Sequence, residues 1–445
     1  VPRRGTCVRS YCAQLFARQL YPDPPSREVA RMSTPRIVIT GIGILNSLGR
    51  TVEEFGDALY AGRSCIGPIE GFEIADQRFT LGGQLKDFNI KDEMPDADKH
   101  MFLYSQYALV AASRAIRDAG LPLDALNRDR LGTSFSTAAA GLSEAVETDA
   151  RRYFDRGDRG ISPVLWAEFT PTACTTHVAI HFGLRGPCAT LSAGCVSGVD
   201  SIAWGVSQIR LGKADLMVVG GADAMFTPFM WAALYRSGIL ATVPDDRGSI
   251  PRPFSHDHNG IALVEGGAAL ILESESHARV RGARIYAELS GVGSVEEARP
   301  LTQLDPSGHA YAETMQRVLS DAGLPPTAVD WVCAHGTGYP GADCAESRGI
   351  ETALGDHAFR VPVSSIRGAV GQSFASGGGF QVAAACLAIQ RQMVPATLNF
   401  SRPDEGCRLD YVPNVPRVAR VQRVIVCAAG VGGTHSGLLV ERYER

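Results

Sequence analysis

Apolar residues recur at Val199, Ile202, Ala203, Val206 and Ile209, the three-and-four spacing of a helix that buries one face. Gly212 ends that helix, and the apolar run over 214–221 behind it reads as a buried strand. The same reading places a strand at 36–43 running into a glycine turn, helices at 52–61 and 103–119, a strand at 131–135, a helix at 172–182 and a strand at 188–192. Residues 225–262 hold Pro228, Pro244, Pro251 and Pro253 and read as a loop-rich cap over one face. Strands follow at 264–272 and 284–292. Then come a helix at 309–322, a strand at 329–335, a helix from about 378 to 392 and a strand at 421–430. Strands alternating with helices, with the second half echoing the first, predict a duplicated α/β unit.

Composition narrows the class. The 445 residues are 45% hydrophobic, enough for a large core, and contain no apolar run long enough to span a membrane. Eleven cysteines lie at irregular spacing without a CxxC pair, which predicts neither a disulfide framework nor a metal site and suits a reducing cytoplasm. Residues 1–31 carry six arginines against Asp23 and Glu28 and read as an N-terminal extension outside the fold; without them the formal charge moves from −4 to −8. A mildly acidic body gives no reason to expect nucleic-acid binding.

Chemistry concentrates where glycines follow buried strands: around Cys195, at His335-Gly-Thr-Gly338, and at Gly430-Val-Gly-Gly-Thr434. Cys195 sits where a turn of small residues enters a helix, and the unpaired N–H groups there favour a thiolate. Position alone fits a nucleophile and a buried structural cysteine equally. His335, just past a buried strand, suits acid–base work or a satisfied turn. The Gly41-x-Gly43 pair suggests a dinucleotide loop, but the third glycine falls on Asn46, so that reading fails.

Together these residues resemble the β-ketoacyl-[acyl-carrier-protein] synthases, the ketosynthases of fatty-acid and polyketide assembly. The markers include Ala193-Gly-Cys195-x-Ser-Gly198, Arg252-Pro-Phe254, Ala334-His-Gly-Thr-Gly338, Pro403-Asp-Glu-Gly406 and Gly432-Gly-Thr434. The resemblance implies an α/β thiolase fold, a duplicated five-layer αβαβα sandwich with a nucleophile half at 32–288 and a histidine half at 289–445. It also implies a homodimer paired through the strand before the nucleophile. No bound cofactor is implied; a carrier protein's phosphopantetheine arm delivers the acyl group. By the same resemblance Cys195 is the nucleophile and His335 the first catalytic histidine. The N–H groups of Cys195 and Val431 form the oxyanion hole, and Thr337, Tyr339, Ala429, Val431 and Thr434 lie against substrate.

The chain departs from the pattern at the second histidine. Ser364-Ser-Ile-Arg367-Gly-Ala-Val-Gly371-Gln372 carries Arg367 for the family's lysine and Gln372 for its histidine. Gln372 can hydrogen-bond but cannot take up a proton. Arg367 is expected to keep an ion pair with Glu346. Tyr339 replaces a hydroxyl residue, while Ala429 and Val431 replace aromatic rings and open space beside the thiol. His435 stands where asparagine is usual, as a replacement base or a turn support. These changes suggest carbon–carbon bond formation without malonyl decarboxylation, similar to the salinosporamide-type bicyclising ketosynthases. Ordinary decarboxylative extension, acyl transfer alone, and a non-catalytic partner of the chain-length-factor kind remain the alternatives.

Overall fold

The computed structural model describes residues 34–243 and 250–444. The expected extension at 1–31, and residues 244–249 of the expected cap, lie outside them. Pro35–Arg445 form one compact unit.

Ten strands form one continuous ladder among the described residues: β1 Ile37–Leu45, β2 Leu131–Ser136, β3 Cys188–Leu191, β4 Leu216–Asp223, β5 Gly266–Ser274, β6 Ala287–Glu296, β7 Trp331–Cys333, β8 Val363–Ser364, β9 Arg423–Ala429 and β10 Thr434–Glu441. Their spatial order is β8-β7-β9-β10-β6-β1-β5-β4-β2-β3. Only Val38 with Glu288 and Ile39 with Ala287 join the two sides across β1 and β6. Each side has five strands in the same arrangement. Strand β1 pairs antiparallel to β5 and β5 to β4, whereas β2 and β3 run parallel to β4. On the other side β6 pairs antiparallel to β10 and β10 to β9, with β7 and β8 parallel to β9. Residue 288, where the sequence reading changes from one half to the other, lies inside β6.

Helices α1 Val52–Tyr60, α2 Leu103–Asp118, α3 Thr172–Phe182, α4 Ser197–Arg210, α5 Pro228–Ser237, α6 His309–Ala322, α7 Ala342–Leu354 and α8 Gly377–Arg391 complete the frame. Apolar faces of α4 and α8 share one core with both sheet halves, so these two helices form the middle layer. α2 and α3 cover the outer face of the first half. α6 and α7 cover that of the second. Five layers result, with every residue of β1 and β5 buried. No helix among the described residues is long and apolar enough to cross a membrane.

The Gly41-x-Gly43 pair acquires a packing reason here. A Cβ at either glycine would overlap the carbonyl oxygen of Ala115 or Ala111 on α2, so these glycines let the helix backbone lie directly on β1. The cap over 225–262 needs correction, because α5 occupies its first third. Thr227 accepts from Met230 N–H at its start and Pro228 is the first helical residue, a position where proline's fixed φ favours a helix. Strand β10 and helix α7 were not read from the sequence. β10 follows a glycine turn so closely that its polar start, Thr434-His-Ser436, looks like loop.

Candidate active site

Cys195 stands where β3 turns into α4. Gly194 adopts φ +63° with open space at its Cβ position, so backbone conformation, not crowding, calls for glycine. The Ser197 hydroxyl closes the turn, accepting from Ala193 N–H at 2.8 Å and donating to the Gly194 carbonyl at 2.6 Å. The single turn Gly194–Val196 then leads into α4, which places the sulfur beside the unpaired N–H groups of a helix start. Burial pushes the Cys195 thiol up from its ordinary value. Hydrogen bonds from the Gln372 side chain and the Val431 N–H, and the charge of Arg367, oppose that rise.

The second glycine turn is held by two acids of α7. Glu346 accepts from His335 N–H at 2.7 Å and from Gly336 N–H at 2.8 Å. Asp343 accepts from Thr337 N–H at 3.0 Å, Gly338 N–H at 3.1 Å and Phe254 N–H at 2.7 Å. Burial, reinforced by the Arg367 cation and the neighbouring His435 ring, holds the His335 imidazole well below its ordinary value. The ring is therefore neutral at pH 7 and able to accept a proton. Its Nδ1 is buried without a hydrogen-bond partner.

Arg367 is fully buried, and its charge is felt by both Cys195 and His335. The guanidinium donates to the Gly371 carbonyl at 3.3 Å and to Gln381 Oε1 at 3.2 Å. The expected direct ion pair with Glu346 is not formed, because both Glu346 oxygens are taken by backbone N–H groups. Burial pushes Glu346 up to about 8 and Arg367 down to about 10. Gln372 is fixed through its backbone, its N–H donating to Ala262 O at 2.7 Å and its carbonyl accepting from Val264 N–H at 3.0 Å. Its side-chain oxygen is buried without a partner.

The remaining expected residues divide. Val431 brings its N–H to the sulfur, and the residue is 66% exposed. Thr337 is buried, its hydroxyl accepting from Tyr339 N–H at 3.4 Å, and Tyr339 is exposed. Ala429 is buried and packs with Tyr311 and Ala345. Thr434 donates its hydroxyl to Glu296 at 2.7 Å, so that hydroxyl serves the turn. His435 is buried with Nε2 2.8 Å from Glu297 Oε1 and its ring edge-on to Tyr311; it is a strut beneath the turn and not a free base. Asp223 was missed. It accepts from Thr137 Oγ1 and Ala138 N–H, each at 2.8 Å, and from Ala375 N–H at 2.8 Å, tying the end of β2 to the turn entering α8. The one sequence signal was an acid closing an otherwise apolar strand. Asp343 was missed too; its signal was an acid opening a helix.

Residues 34–278 match the β-ketoacyl synthase N-terminal domain, and residues 286–401 match the β-ketoacyl synthase C-terminal domain. The chain belongs to the β-ketoacyl synthase family. This ketosynthase is 35% identical over 422 residues to the tetracenomycin polyketide synthase ketoacyl synthase alpha subunit of Streptomyces glaucescens, covering 93% of this chain and 99% of that one. It is 32% identical over 417 residues to 3-oxoacyl-[acyl-carrier-protein] synthase 2 of Synechocystis, covering 94% and 100%. A solved type II polyketide ketosynthase, in complex with its acyl carrier protein and bound to the hexaketide, superposes with a TM-score of 0.84 at 30% identity, covering 92% and 100%. The five-layer sandwich is accordingly the thiolase-type fold of ketosynthases, and the enzyme is a condensing acyltransferase of the fatty-acid and polyketide class.

Proposed function

We propose that Cys195 takes an acyl or β-ketoacyl group from the phosphopantetheine arm of an acyl carrier protein and forms a carbon–carbon bond without decarboxylating malonate. The observation that carries this reading is Gln372 at the sulfur, a residue that can orient a carbonyl but cannot take a proton or become a cation. In the loading step the sulfur attacks the thioester carbon, the oxyanion forms between the N–H groups of Cys195 and Val431, and the pantetheine thiol leaves with the proton. Neutral His335 then removes a proton from the acidic α-carbon of the bound β-ketoacyl chain. The enolate attacks a carbonyl within the same chain. The resulting alkoxide attacks the thioester and expels the Cys195 thiolate, which recovers the proton, so product leaves as a lactone without water.

The same reading takes Cys195 and His335 as catalytic residues, with Gln372 orienting substrate. Thr337 and Tyr339 lie along the pantetheine path. The nucleophile half runs over 32–288 and the histidine half over 289–445, with the change of half inside β6. Two copies of the chain pair through β3. Ordinary chain extension is the second reading, supported by full-length similarity to a 3-oxoacyl synthase. Purified protein given malonyl carrier protein and an acyl donor separates the two. Acylation of Cys195 without carbon dioxide release supports the first, and rapid release coupled to a product longer by two carbons overturns it. Cys195→Ala abolishes loading on either reading.

A further inference from the structure

Two buried cysteines beside the His335 turn have no part in this reaction. Cys344 lies in the first turn of α7 and Cys407 in the loop that follows Pro403, with their sulfurs 3.6 Å apart. The Cys344 thiol also donates to Asp404 Oδ2 at 3.0 Å, and Cys407 N–H donates to the Asp404 carbonyl at 2.9 Å. Cys344 directly follows Asp343, the acid that holds the N–H groups of Thr337, Gly338 and Phe254. His258 bridges the two acids, 3.6 Å from Asp343 and 3.5 Å from Asp404. An outer-layer helix and a surface loop thus meet through two sulfurs, next to the support of the His335 turn.

We propose that Cys344 and Cys407 form a reversible disulfide, made by small-molecule disulfides such as oxidised glutathione, which loosens the His335 turn through Asp343. The Cys344 thiolate attacks one glutathione sulfur and expels a glutathione thiolate. The Cys407 thiolate then attacks the Cys344 sulfur of that mixed disulfide and expels the second. Two protein thiols lose two electrons and two protons, and one oxidised glutathione becomes two reduced ones. A disulfide is about 2.05 Å long, so closing the bridge draws the sulfurs together by about 1.5 Å. The first turn of α7, which carries Asp343, takes up that movement.

The surroundings set the rate. Burial and the Asp404 carboxylate hold the Cys344 thiol at about 11, and burial also raises Cys407. Asp343, Asp404, His258 and Tyr411 surround the pair, and the Arg348 guanidinium borders the Cys344 sulfur across Gly406. The pair therefore reacts slowly at neutral pH and about tenfold faster for each pH unit gained below that value.

The test uses full-length Cys195→Ala protein, so it does not depend on the proposed reaction. After incubation with oxidised glutathione at pH 8.5, the expected product has lost about 2 Da, yields a cross-linked Cys344–Cys407 peptide and reverts with dithiothreitol. In a further Cys407→Ser variant the glutathione adduct remains trapped on Cys344. Absence of the cross-linked peptide, with other cysteines of the same sample glutathionylated, overturns the proposal. Amide exchange at Thr337 and Gly338 reads the coupling: bridging speeds it by about threefold or more, and an unchanged rate overturns the link to the His335 turn.

Discussion

The proposed chemistry turns on Gln372. An amide at the sulfur can support a thiolate or an oxyanion, but it supplies no proton and no positive charge. Gln372→His should therefore raise carbon dioxide release from malonyl carrier protein by about a hundredfold, the usual scale of a positioned acid–base group. Release unchanged from wild type would show that residues other than Gln372 control decarboxylation. The thiol itself gives a second expectation. Burial raises Cys195, so its alkylation should speed up as pH rises above 7, and Gln372→Ala should move that rise to higher pH by removing a hydrogen bond that favours the thiolate. Iodoacetamide labelling rates across pH check both the direction and the displacement. Cys195, His335 and Gln372 were legible in the sequence because the chemistry proposed for them belongs to their side chains. Asp343 and Asp223 were not, because their work is to hold backbone N–H groups, which no sequence displays. The same blindness produced the expected Glu346–Arg367 pair: Glu346's partners turned out to be the N–H groups of His335 and Gly336.

Elements are positioned by contacts that change the meaning of local signals. Gly41 and Gly43 looked like half of a phosphate loop, yet they are the floor on which α2 rests. Gly43→Ala should cost about 3 kcal/mol, at the upper end of overpacking penalties, because the added methyl meets helix backbone and not a movable side chain. Urea denaturation measures it, and a loss below about 0.5 kcal/mol would mean that α2 can shift away from β1. Pro228 looked like a breaker and is the start of α5, because proline's effect depends on which turn of a helix it occupies. Asp223 joins two elements and carries a pH signature. Burial pushes it up to about 6 from an ordinary 3.8, so the folded protein keeps this proton where the unfolded chain has lost it. The contribution is complete below about pH 4 and is lost as pH rises through about 6. Asp223→Ala should remove that dependence and, by leaving the Ala138 and Ala375 N–H groups without an acceptor, lower stability by about 1–3 kcal/mol at pH 7.

At the scale of the molecule the two halves share one topology but not one kind of edge. The last strand of the second half, β8, is two residues long and fully buried. Its counterpart β3 is four residues long, begins with exposed Cys188, and has a neighbour on one side only. An open strand of this kind invites pairing, and a second copy of the same strand is self-complementary across a two-fold axis. Exposed Phe154 and Trp166, 84% and 81% accessible, add apolar surface within the same half. Two copies meeting at β3 would join their sheets and bring two Cys195 turns, each only a few residues beyond the strand, onto either side of the axis. The ladder supplies a direct test. Thr133 N–H bonds the carbonyl of Pro187, so by the alternation of a parallel pair the N–H of Cys188 points away from β2 to the open edge. Cys188→Pro removes that donor at the first residue of an edge strand, where proline leaves the internal ladder intact. Two such losses across the axis, at about 1 kcal/mol each, should weaken dimerisation about tenfold or more while thermal unfolding stays near wild type. Sedimentation across a concentration series reads the result, and a dimer of unchanged affinity would place the interface away from β3.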